Sequence, residues 1–289
     1  MDWAAVSVAL AKERKNVSRI VVCMDEDTET FARKIRHPLL DLVDQVVVTP
    51  EFKGTPRERS RWVKTSMRSL LEGDYIYIDS DALPISDFDE LALQNKDFAS
   101  VPDQQAISDI AHWYAPAANQ LNWKIPPEIY LNSGVYFVAD NDRTRNFAKL
   151  WREKWLEWRS FDKSGVSADQ PAFNSAIIES NMTIQIMPEK FNVFLSRPNI
   201  SVDDPRIFHY PASLRKIRYS SLLCKLSDQF RRNGYIDFKS VKSAEAKAYP
   251  WVLPLPLVWT EFLFAAGIGK IEQKMRRLVP VKLRSKLTR

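Results

Sequence analysis

The chain lacks the features that mark several classes of protein. It has only two cysteines, Cys23 and Cys224, in 289 residues, so a disulfide framework of the kind found in small secreted domains is excluded. It has no internal repeat and no low-complexity segment. Its first residues, MDWAAVSVALAKERKN, have no basic region ahead of the apolar run, as a secretory signal would. We therefore expect a cytoplasmic protein.

Long apolar runs are also scarce. The most apolar stretch, WVLPLPLVWTEFLFAAGIG at 251–269, contains two prolines and Glu261, which argues against a transmembrane helix. The composition, with 45% apolar and 27% charged residues, is ordinary for a soluble globular protein. The length is sufficient for one large domain or two small ones.

Positive charge is concentrated at one end of the chain. Residues 270–289 have eight basic side chains and one acidic side chain, which gives this segment a formal charge of +7. Because the whole chain has a formal charge of +6, the rest of it has a charge of about −1. The protein is therefore not a basic globule of the kind that coats nucleic acid, and we expect no nucleic-acid partner.

Short β-branched runs alternate with helical patterns from residue 19 onward. The predicted strands are 19–24, 45–49, 75–79, 97–101, 134–139, 183–188 and 206–210, and the predicted helices are 27–43, 57–73, 142–159 and 168–180. This alternation predicts a mixed α/β sheet with helices on both faces. From about residue 213 the pattern becomes helical and basic. We therefore predict a core domain at 1–212 and a helical, basic C-terminal extension at 213–289.

Two aspartates end the third predicted strand, in the segment YIYIDSDALPISDFDEL at 75–91. Asp79 and Asp81 are separated by one residue, and carboxylates this close repel each other unless a cation lies between them. In α/β sheets, ligands bind beyond the carboxyl ends of the strands, where this pair falls. Mg²⁺ and Mn²⁺ prefer oxygen ligands and leave coordination positions for phosphates. The pair predicts a site for a metal and a diphosphate, and the alternative is a capped, solvated turn.

The same segment resembles the DXD motif of metal-dependent GT-A glycosyltransferases, and it is most similar to glycosyltransferase family 8. Three further segments match that family in order: YLNSGVYFVAD (130–140), SADQPAFNSAI (167–177) and IFHYPASLRK (207–216). The resemblance covers roughly residues 1–216. It implies a GT-A (Rossmann-like) fold that transfers a sugar from a nucleotide-diphosphate donor, a UDP-sugar by analogy, with retention of the anomeric configuration.

The resemblance also assigns roles to individual residues. It implies that Asp79, Asp81 and His209 bind Mn²⁺ or Mg²⁺, and that Asp169 and Gln170 line the reaction centre as catalytic residues. The residues that we expect at the sugar donor and its nucleotide are Arg61, Lys64, Ser80, Asn132, Ser133, Arg215 and Lys216.

The basic residues of the helix ahead of the DXD segment, Arg61 and Lys64 among them, have an alternative explanation. Arg57, Arg61, Lys64 and Arg68 follow one another at helical spacings of 4, 3 and 4 residues, so they form one basic stripe. A solvated helix face is the alternative interpretation of this stripe. Arg61 is the residue that we expect to meet the diphosphate, because it matches the arginine that the family places ahead of the DXD motif. A guanidinium group also suits phosphate, which it binds through two hydrogen bonds.

The other candidate residues also have structural alternatives. A single histidine at the end of a strand, as His209 is, is usually structural, and Asp169 would also suit the positive end of a helix. Only three histidines occur in the chain. Of the other two, we expect His37 to be structural and His112 to flank the acceptor site.

The chain departs from the family pattern in two places. The family has a strand ahead of its first helix, whereas this sequence starts at MDWAAVSVAL, without that strand. We therefore expect either that the start codon has been placed too late or that the protein lacks part of its nucleotide pocket. Trp3 lies near the position of a tyrosine that stacks on uracil in the family. The segment HYPASLRK lacks the family's glycine and the Pro-Trp after lysine, so the phosphate contact is either Arg215 or Lys216.

The C-terminal residues predict a basic amphipathic helix. Its apolar stripe is Phe264, Ile268, Ile271, Met275 and Leu278, and the neighbouring basic stripe is Lys270, Lys274 and Arg277. Such a helix suits the surface of an anionic membrane, and the alternative is a helix that packs on the core. Peripheral membrane contact through 251–289 would suit a lipid-linked acceptor, and a glycan is the other acceptor that we consider.

Two other functions stay open at this point. Haloacid-dehalogenase-like phosphatases also end a strand in D-x-D with Mg²⁺, but normally after their first strand, whereas two predicted strands precede this pair. The second alternative is a degenerate transferase that binds a sugar or a protein partner without catalysis, which the missing first strand would explain.

Overall fold

A computed structural model describes residues 1–15, 17–88, 96–103, 119–124, 129–161, 168–211 and 217–278. The helices are α1 (Asp2–Lys12), α2 (Glu26–Lys34), α3 (Leu39–Leu42), α4 (Pro56–Leu70), α5 (Asp142–Phe161), α6 (Gln170–Glu179), α7 (Leu222–Asn233), α8 (Phe238–Ala246) and α9 (Leu255–Leu278), with a 3-10 helix at Glu189–Phe191. The strands are β1 (Val21–Met24), β2 (Gln45–Val48), β3 (Tyr75–Ile78), β4 (Ala82–Pro84), β5 (Phe98–Pro102), β6 (Leu131–Val138), β7 (Ile184–Ile186), β8 (Val193–Phe194) and β9 (Ile207–His209).

The strands form three sheets. The four-stranded sheet has the order β3-β6-β5-β7, in which β6 is antiparallel to β3 and β5, and β7 is parallel to β5. A parallel pair, β1-β2, and a three-stranded sheet, β4-β9-β8, complete the set. This mixture of strand directions among helices confirms the predicted mixed α/β architecture.

Aromatic side chains support the four-stranded sheet from α5 and α6. The rings of Phe98, Tyr136, Phe147, Trp151 and Phe173 are all at most 2% exposed, and the Trp151 and Phe173 centroids are 5.0 Å apart. Truncating one such side chain to alanine typically costs 3–5 kcal/mol, roughly a third of the stability of an ordinary domain. The aromatic cluster therefore makes β6 a rigid platform for whatever its first residues carry.

A second apolar core joins both ends of the chain. Leu10 of α1, Leu83 of β4, Phe208 of β9, Leu223 of α7 and Val258 of α9 belong to one cluster, and each is at most 1% exposed. Helices after residue 216 thus cover the three-stranded sheet. The domain division after residue 212 remains a prediction.

The helices of the C-terminal region are anchored by side-chain contacts as well. The Glu261 carboxylate accepts hydrogen bonds of 2.8 Å from the backbone N–H groups of Tyr219 and Ser220, and the Trp251 indole donates to the Pro198 carbonyl at 2.9 Å. Among the described helices, none combines the length and the apolar character needed to cross a membrane.

Two short strands were not predicted from the sequence. Strands β4 and β8 contain three and two residues, which is too short for a period of two to be recognised. Strand β6 begins at Leu131, whereas the predicted strand begins at residue 134, and the difference brings the segment LNS into the sheet. Strand β4 matters to the site, because it follows the two aspartates directly.

Candidate active site

Asp79 and Asp81 lie in the turn between β3 and β4. The Asp79 N–H donates to the Gly134 carbonyl of β6 at 2.8 Å, and the Ala82 N–H closes the turn by donating to the Asp79 carbonyl at 2.9 Å. The Asp81 carbonyl accepts a 2.9 Å hydrogen bond from the Tyr210 N–H. Backbone contacts to β6 and to the end of β9 therefore fix where both carboxylates project.

His209 ends β9 and faces the two aspartates. Its Nε2 atom lies 3.4 Å from Asp81 Oδ1 and 4.0 Å from Asp79 Oδ2, and its side chain is 5% exposed. Candidate ligand atoms of the three residues all lie within 4.8 Å of one another.

Gly134 of β6 leaves the space in which these groups meet. A Cβ atom at this position would overlap Cε1 of His209 and would lie 2.9 Å from both Asp79 Oδ2 and Asn132 Oδ1. No side chain fits there without displacing the histidine ring. The glycine in the segment NSG is therefore required by the close approach of three side chains.

Helix α4 supplies two cations to the same region. Lys64 Nζ lies 3.3 Å from Asp79 Oδ2 and 3.3 Å from Asp169 Oδ2, and Arg61 Nε lies 3.0 Å from Asp169 Oδ1. The spacing of three residues places Arg61 and Lys64 on one face of the helix. Lys64 also donates to Ser133 Oγ at 3.2 Å.

The interpretation of the basic stripe as a solvated face is wrong for Lys64 and Arg68. The two residues are 4% and 3% exposed. Arg68 donates to the Gly73 carbonyl at 2.7 Å and lies 3.3 Å from Asp140, so it fixes the end of α4. Only Arg57 of the stripe is exposed to solvent as that interpretation requires.

Asp169 is a buried carboxylate that stays ionised. Burial alone would raise its pKa, but the charges of Lys64 and Arg61 outweigh burial and lower the pKa to about 2. In return, Asp169 raises the pKa of the Arg61 guanidinium. Asp169 is the N-cap residue of α6, yet its side chain makes no capping hydrogen bond. It faces the cations of α4 instead of its own helix.

The start of β6 and the start of α6 meet beside this carboxylate. Gln170 Oε1 accepts from the Ser133 N–H at 3.2 Å, and Ser133 Oγ donates to Asp169 Oδ2 at 3.2 Å. Gln170 Nε2 donates to Asp103 Oδ2 at 2.6 Å, and Asn132 Nδ2 donates to the same oxygen at 3.2 Å. The predicted reaction-centre residues and the predicted sugar contacts therefore form one continuous site.

Two residues of the site were missed in the sequence. Asp103 follows β5 directly, and its position at the carboxyl end of a strand is the signal that could have identified it. Asn192 accepts from or donates to His209 Nδ1 at 2.9 Å and lies in the irregular turn between the 3-10 helix and β8. No pattern in the sequence distinguishes Asn192 from a surface turn residue.

The remaining predicted residues lie at the edge of the site, elsewhere in the fold, or outside the described parts of the chain. Ser80 is exposed at the tip of the turn. His37 is buried, 3.0 Å from Asp2 Oδ1 through Nε2, which agrees with a structural role. Trp3 packs against the second apolar core. The residues that fall outside the described ranges are His112, Arg215 and Lys216.

The charges of the site suit a divalent cation. The site contains four described carboxylates, those of Asp79, Asp81, Asp103 and Asp169, and two cationic side chains, those of Arg61 and Lys64. With a neutral imidazole, these side chains have a formal charge of −2, which one divalent ion would neutralise. Two carboxylate oxygens and one ring nitrogen are acceptable ligands for Mn²⁺ and leave positions for phosphate oxygens and water.

Comparison with known proteins agrees with this geometry. A family model described as nucleotide-diphospho-sugar transferase matches residues 16–207. The chain is similar to the bifunctional glycosyltransferase WbbM in its apo form, with a TM-score of 0.53 and 15% identity over 85% of this chain and 49% of that one. It is also similar to the galactosyltransferase LgtC in complex with donor and acceptor sugar analogs, with a TM-score of 0.50 and 13% identity over 84% of this chain and 91% of that one.

At these levels of identity the structural likeness establishes the fold alone. It confirms the predicted GT-A fold. The chain spans about half of the WbbM chain that it matches. No curated protein sequence matches it.

Proposed function

Because the chain belongs to the nucleotide-diphospho-sugar transferase family, we propose that it transfers a sugar from a UDP-sugar to a glycan or lipid-linked acceptor. The proposal includes a Mn²⁺ or Mg²⁺ ion held by Asp79, Asp81 and His209. The observation that carries it is the convergence of two carboxylates and one imidazole with ligand atoms within 4.8 Å of one another. When bound, such an ion stabilises negative charge on the departing diphosphate.

Arg61 is the basic residue that we assign to the diphosphate. Its side chain is 30% exposed, so the guanidinium borders the open part of the site, whereas the Lys64 side chain is 4% exposed. Lys64 lies between Asp79 and Asp169 and holds the two carboxylates in place. Its part in donor binding is thus to shape the floor of the site.

Asp169 and Gln170 are assigned to the anomeric carbon of the donor. A carboxylate with a pKa of about 2 does not donate a proton near neutral pH, so Asp169 is unsuited to general acid catalysis. A fixed negative charge instead stabilises the oxocarbenium character that develops as the glycosidic bond loosens. Asn132 and Ser133 position Gln170 and the donor sugar from the start of β6.

The resemblance to glycosyltransferase family 8 supports retention of the anomeric configuration. Product anomers can be distinguished by proton NMR of the reaction mixture. A product with the anomeric configuration of the donor supports the assignment to this family, and an inverted product contradicts it.

UDP release tests the proposed reaction. The protein is incubated with UDP-glucose, UDP-galactose and UDP-N-acetylglucosamine, with Mn²⁺ or with EDTA, and released UDP is measured. We expect release from at least one donor that requires the metal, and a decrease of about 100-fold or more in the Asp81→Ala variant, because charge stabilisation of the leaving group is lost.

Asp87→Ala is the matched control for this experiment. Asp87 lies in the same acidic segment but pairs with Lys15 at 3.6 Å, away from His209. Its removal is expected to leave UDP release unchanged. UDP release that is undiminished both in EDTA and in Asp81→Ala contradicts the metal site. Binding of the donor without release of UDP supports the alternative of a degenerate transferase that only binds. Hydrolysis of a phosphate monoester supports the alternative of a haloacid-dehalogenase-like phosphatase.

We further propose that α9 lies on an anionic membrane surface. Four large apolar side chains of this helix are exposed to solvent. Leu257, Leu263 and Phe264 are 53–69% exposed, and Trp259 is 39% exposed. Glu261, the one charged residue among 255–265, is occupied by backbone N–H groups of the preceding segment. The basic residues of 270–289 follow directly, and each contributes roughly 1 kcal/mol near an anionic surface.

Vesicle sedimentation tests this contact. The full chain is expected to sediment with phosphatidylserine-containing vesicles and less with phosphatidylcholine vesicles. A Leu263→Ser/Phe264→Ser variant is expected to sediment several-fold less, whereas Tyr235→Ser, which changes an exposed side chain on another segment, keeps the wild-type level. Equal sedimentation of the double variant and the wild type contradicts the proposal.

A further inference from the structure

A line of hydrogen bonds connects Asp103 to His209 through the side chains of two asparagines. Asn132 and Asn192 are 4% and 1% exposed, so solvent does not compete for their amide groups. Asn132 contacts Asp103 on one side and Asn192 on the other, and Asn192 contacts the imidazole. The order of donors and acceptors along this line determines where the proton of the imidazole lies.

The orientation of the Asn132 amide is fixed by its neighbours. The Gly134 backbone N–H can only donate, and it lies 2.8 Å from the Asn132 side-chain atom that must therefore be the oxygen. The other end of the amide lies 3.2 Å from an Asp103 carboxylate oxygen, which accepts. An ionised carboxylate and a backbone N–H thus set the two ends of Asn132 independently.

The orientation of Asn192 follows from that of Asn132. The Asn132 oxygen is 2.9 Å from one end of the Asn192 amide, which must be the NH₂ group because two oxygens would repel. The Asn192 oxygen is therefore the atom that lies 2.9 Å from His209 Nδ1. An amide oxygen accepts a hydrogen bond, so Nδ1 is the ring nitrogen that has the proton.

We propose that Asn192 is a positioning residue that holds His209 as the Nδ1–H tautomer and so leaves the Nε2 lone pair directed at Asp79 and Asp81. Three electron-rich groups then meet at one point, with Nε2 3.4 Å from Asp81 and 4.0 Å from Asp79. Only a cation between them removes the repulsion. A partner that fixes the tautomer of a metal-binding histidine also makes the ring a better ligand. The inference rests on the proposed metal site.

His37 provides an internal comparison, because its contacts indicate the opposite tautomer of the imidazole ring. The Leu39 backbone N–H donates to His37 Nδ1 at 3.1 Å, so Nδ1 has no proton in the neutral ring. Its Nε2 lies 3.0 Å from Asp2 Oδ1 and is the donor. The two described histidines are therefore opposite tautomers, which is a difference that NMR measures directly.

Nitrogen-15 NMR of the imidazole rings tests the inference in the wild-type protein. The chain is labelled at histidine and saturated with Mg²⁺, which is diamagnetic, and a His209→Gln variant assigns the signals. We expect an Nδ1–H tautomer for His209 and an Nε2–H ring for His37. An Nε2–H tautomer or a doubly protonated ring at His209 in the Mg²⁺-bound protein would overturn the inference.

Equilibrium binding of Mn²⁺ to Asn192→Leu provides a second test. Leucine has the same number and branching of side-chain heavy atoms as asparagine but cannot accept from Nδ1–H, so we expect Mn²⁺ binding to weaken by about 10-fold to 100-fold. Asn141→Leu is the control, because it removes an amide that donates to Asp97 at 2.8 Å near the opposite end of β6. Its Mn²⁺ affinity is expected to equal that of the wild type.

The outcomes separate this inference from the metal site itself. If the wild type binds no Mn²⁺, the proposed metal site fails and the role of Asn192 falls with it. If the wild type binds Mn²⁺ and a folded Asn192→Leu binds it equally well, only the role of Asn192 is refuted. Should Asn192→Leu not fold, the tautomer measured in the wild type decides the question.

Discussion

Gly134 matters at the residue scale because of the side chain that it does not have. The position has no Cβ, and the space is used by the His209 ring and by carboxylate and amide oxygens. A Gly134→Ala change would displace the ring from Asp81, which removes one of three metal ligands. We expect Mn²⁺ binding, measured by electron paramagnetic resonance of the free ion, to weaken by about 10-fold or more.

Gly267→Ala is the matched control for that change. Apart from its chain neighbours and the backbone of its own helix, no described atom lies within 4 Å of the place where its Cβ would lie, and the residue is part of α9. Alanine is favoured over glycine inside a helix by roughly 1 kcal/mol, so this variant is expected to be at least as stable as the wild type. It should bind Mn²⁺ normally. Equal Mn²⁺ affinity in both variants would show that the close approach at Gly134 is not required.

The buried charge of Asp169 predicts a pH dependence of stability. Its pKa in the folded chain is lowered to about 2, below the value of about 3.9 in an unfolded chain. The stabilisation is therefore fully present above roughly pH 4 and is lost as the pH falls towards 2. Relative to Asp169→Asn, the wild type should be more stable by about 2 kcal/mol at pH 7.

Urea unfolding at several pH values, with EDTA present, checks this dependence. The difference between the wild type and Asp169→Asn should shrink steadily below pH 4 and nearly vanish at pH 2. A difference that is constant from pH 7 to pH 2 would mean that the contacts of Asp169 with Arg61 and Lys64 do not depend on its charge.

Residue-level prediction from the sequence worked where a local motif held the chemistry. Asp79 and Asp81 are adjacent at a strand end, and the geometry brings His209 to them as the resemblance implied. Whether these residues and Asp169 have their assigned roles remains a prediction. Asn192 could not be identified, because its contact with His209 depends on how β8 and β9 pair, and no spacing in the sequence reports that pairing.

At the scale of elements, α4 holds the cations of the site and begins with a strong local signal. Thr55 and Glu58 form a capping box, in which each side chain contacts the backbone N–H of the other residue, and Pro56 follows at the first helical position. Arg61 and Lys64 lie in later turns of the helix. The cap stabilises the helix without contacting the carboxylates of the site.

Thr55→Ala separates helix stability from the site. Loss of the cap should lower the free energy of unfolding by about 1 kcal/mol. Fraying of the first turn does not reach Lys64, so Mn²⁺ affinity should be unchanged. Thermal unfolding and Mn²⁺ titration of the same variant check both statements, and a large loss of Mn²⁺ affinity would mean that the position of α4 depends on its cap.

The elements themselves were predictable in proportion to their length. Helices α4 and α5 and strand β3 appear within a few residues of the predicted ranges, because each has a periodic apolar face and a clear boundary. Strands β4 and β8 could not be predicted, since tertiary pairing with β9 rather than local preference forms them. The direction of pairing in the four-stranded sheet was not available from the sequence either.

At the scale of the whole molecule, two cores meet at the site from opposite sides. The aromatic cluster supports β6, which supplies Gly134 and Asn132, while the second core supports β4 and β9, which flank Asp81 and supply His209. The carboxylates lie where these two rigid bodies of side chains join. A GT-A fold followed from motifs spread over this whole region and is confirmed, and the family model places the chain in the nucleotide-diphospho-sugar transferase family.

The contribution of the C-terminal helices was harder to anticipate. The sequence pattern marks 213–289 as helical and basic, but it does not show that Leu223 and Val258 enter the same core as Leu83. This packing depends on the three-stranded sheet that the C-terminal helices cover. Its middle strand β9 ends only four residues before the predicted boundary at 213, so the helices follow the sheet directly.

Equilibrium titration of the wild-type chain with Mn²⁺, followed by electron paramagnetic resonance of the free ion, tests the central claim most directly. One ion should bind per chain and bind more tightly when UDP is present, and binding should be lost in Asp81→Asn but kept in Asp87→Asn. Failure of the wild type to bind Mn²⁺ at millimolar concentration, or equal binding by Asp81→Asn, would contradict a metal held by Asp79, Asp81 and His209.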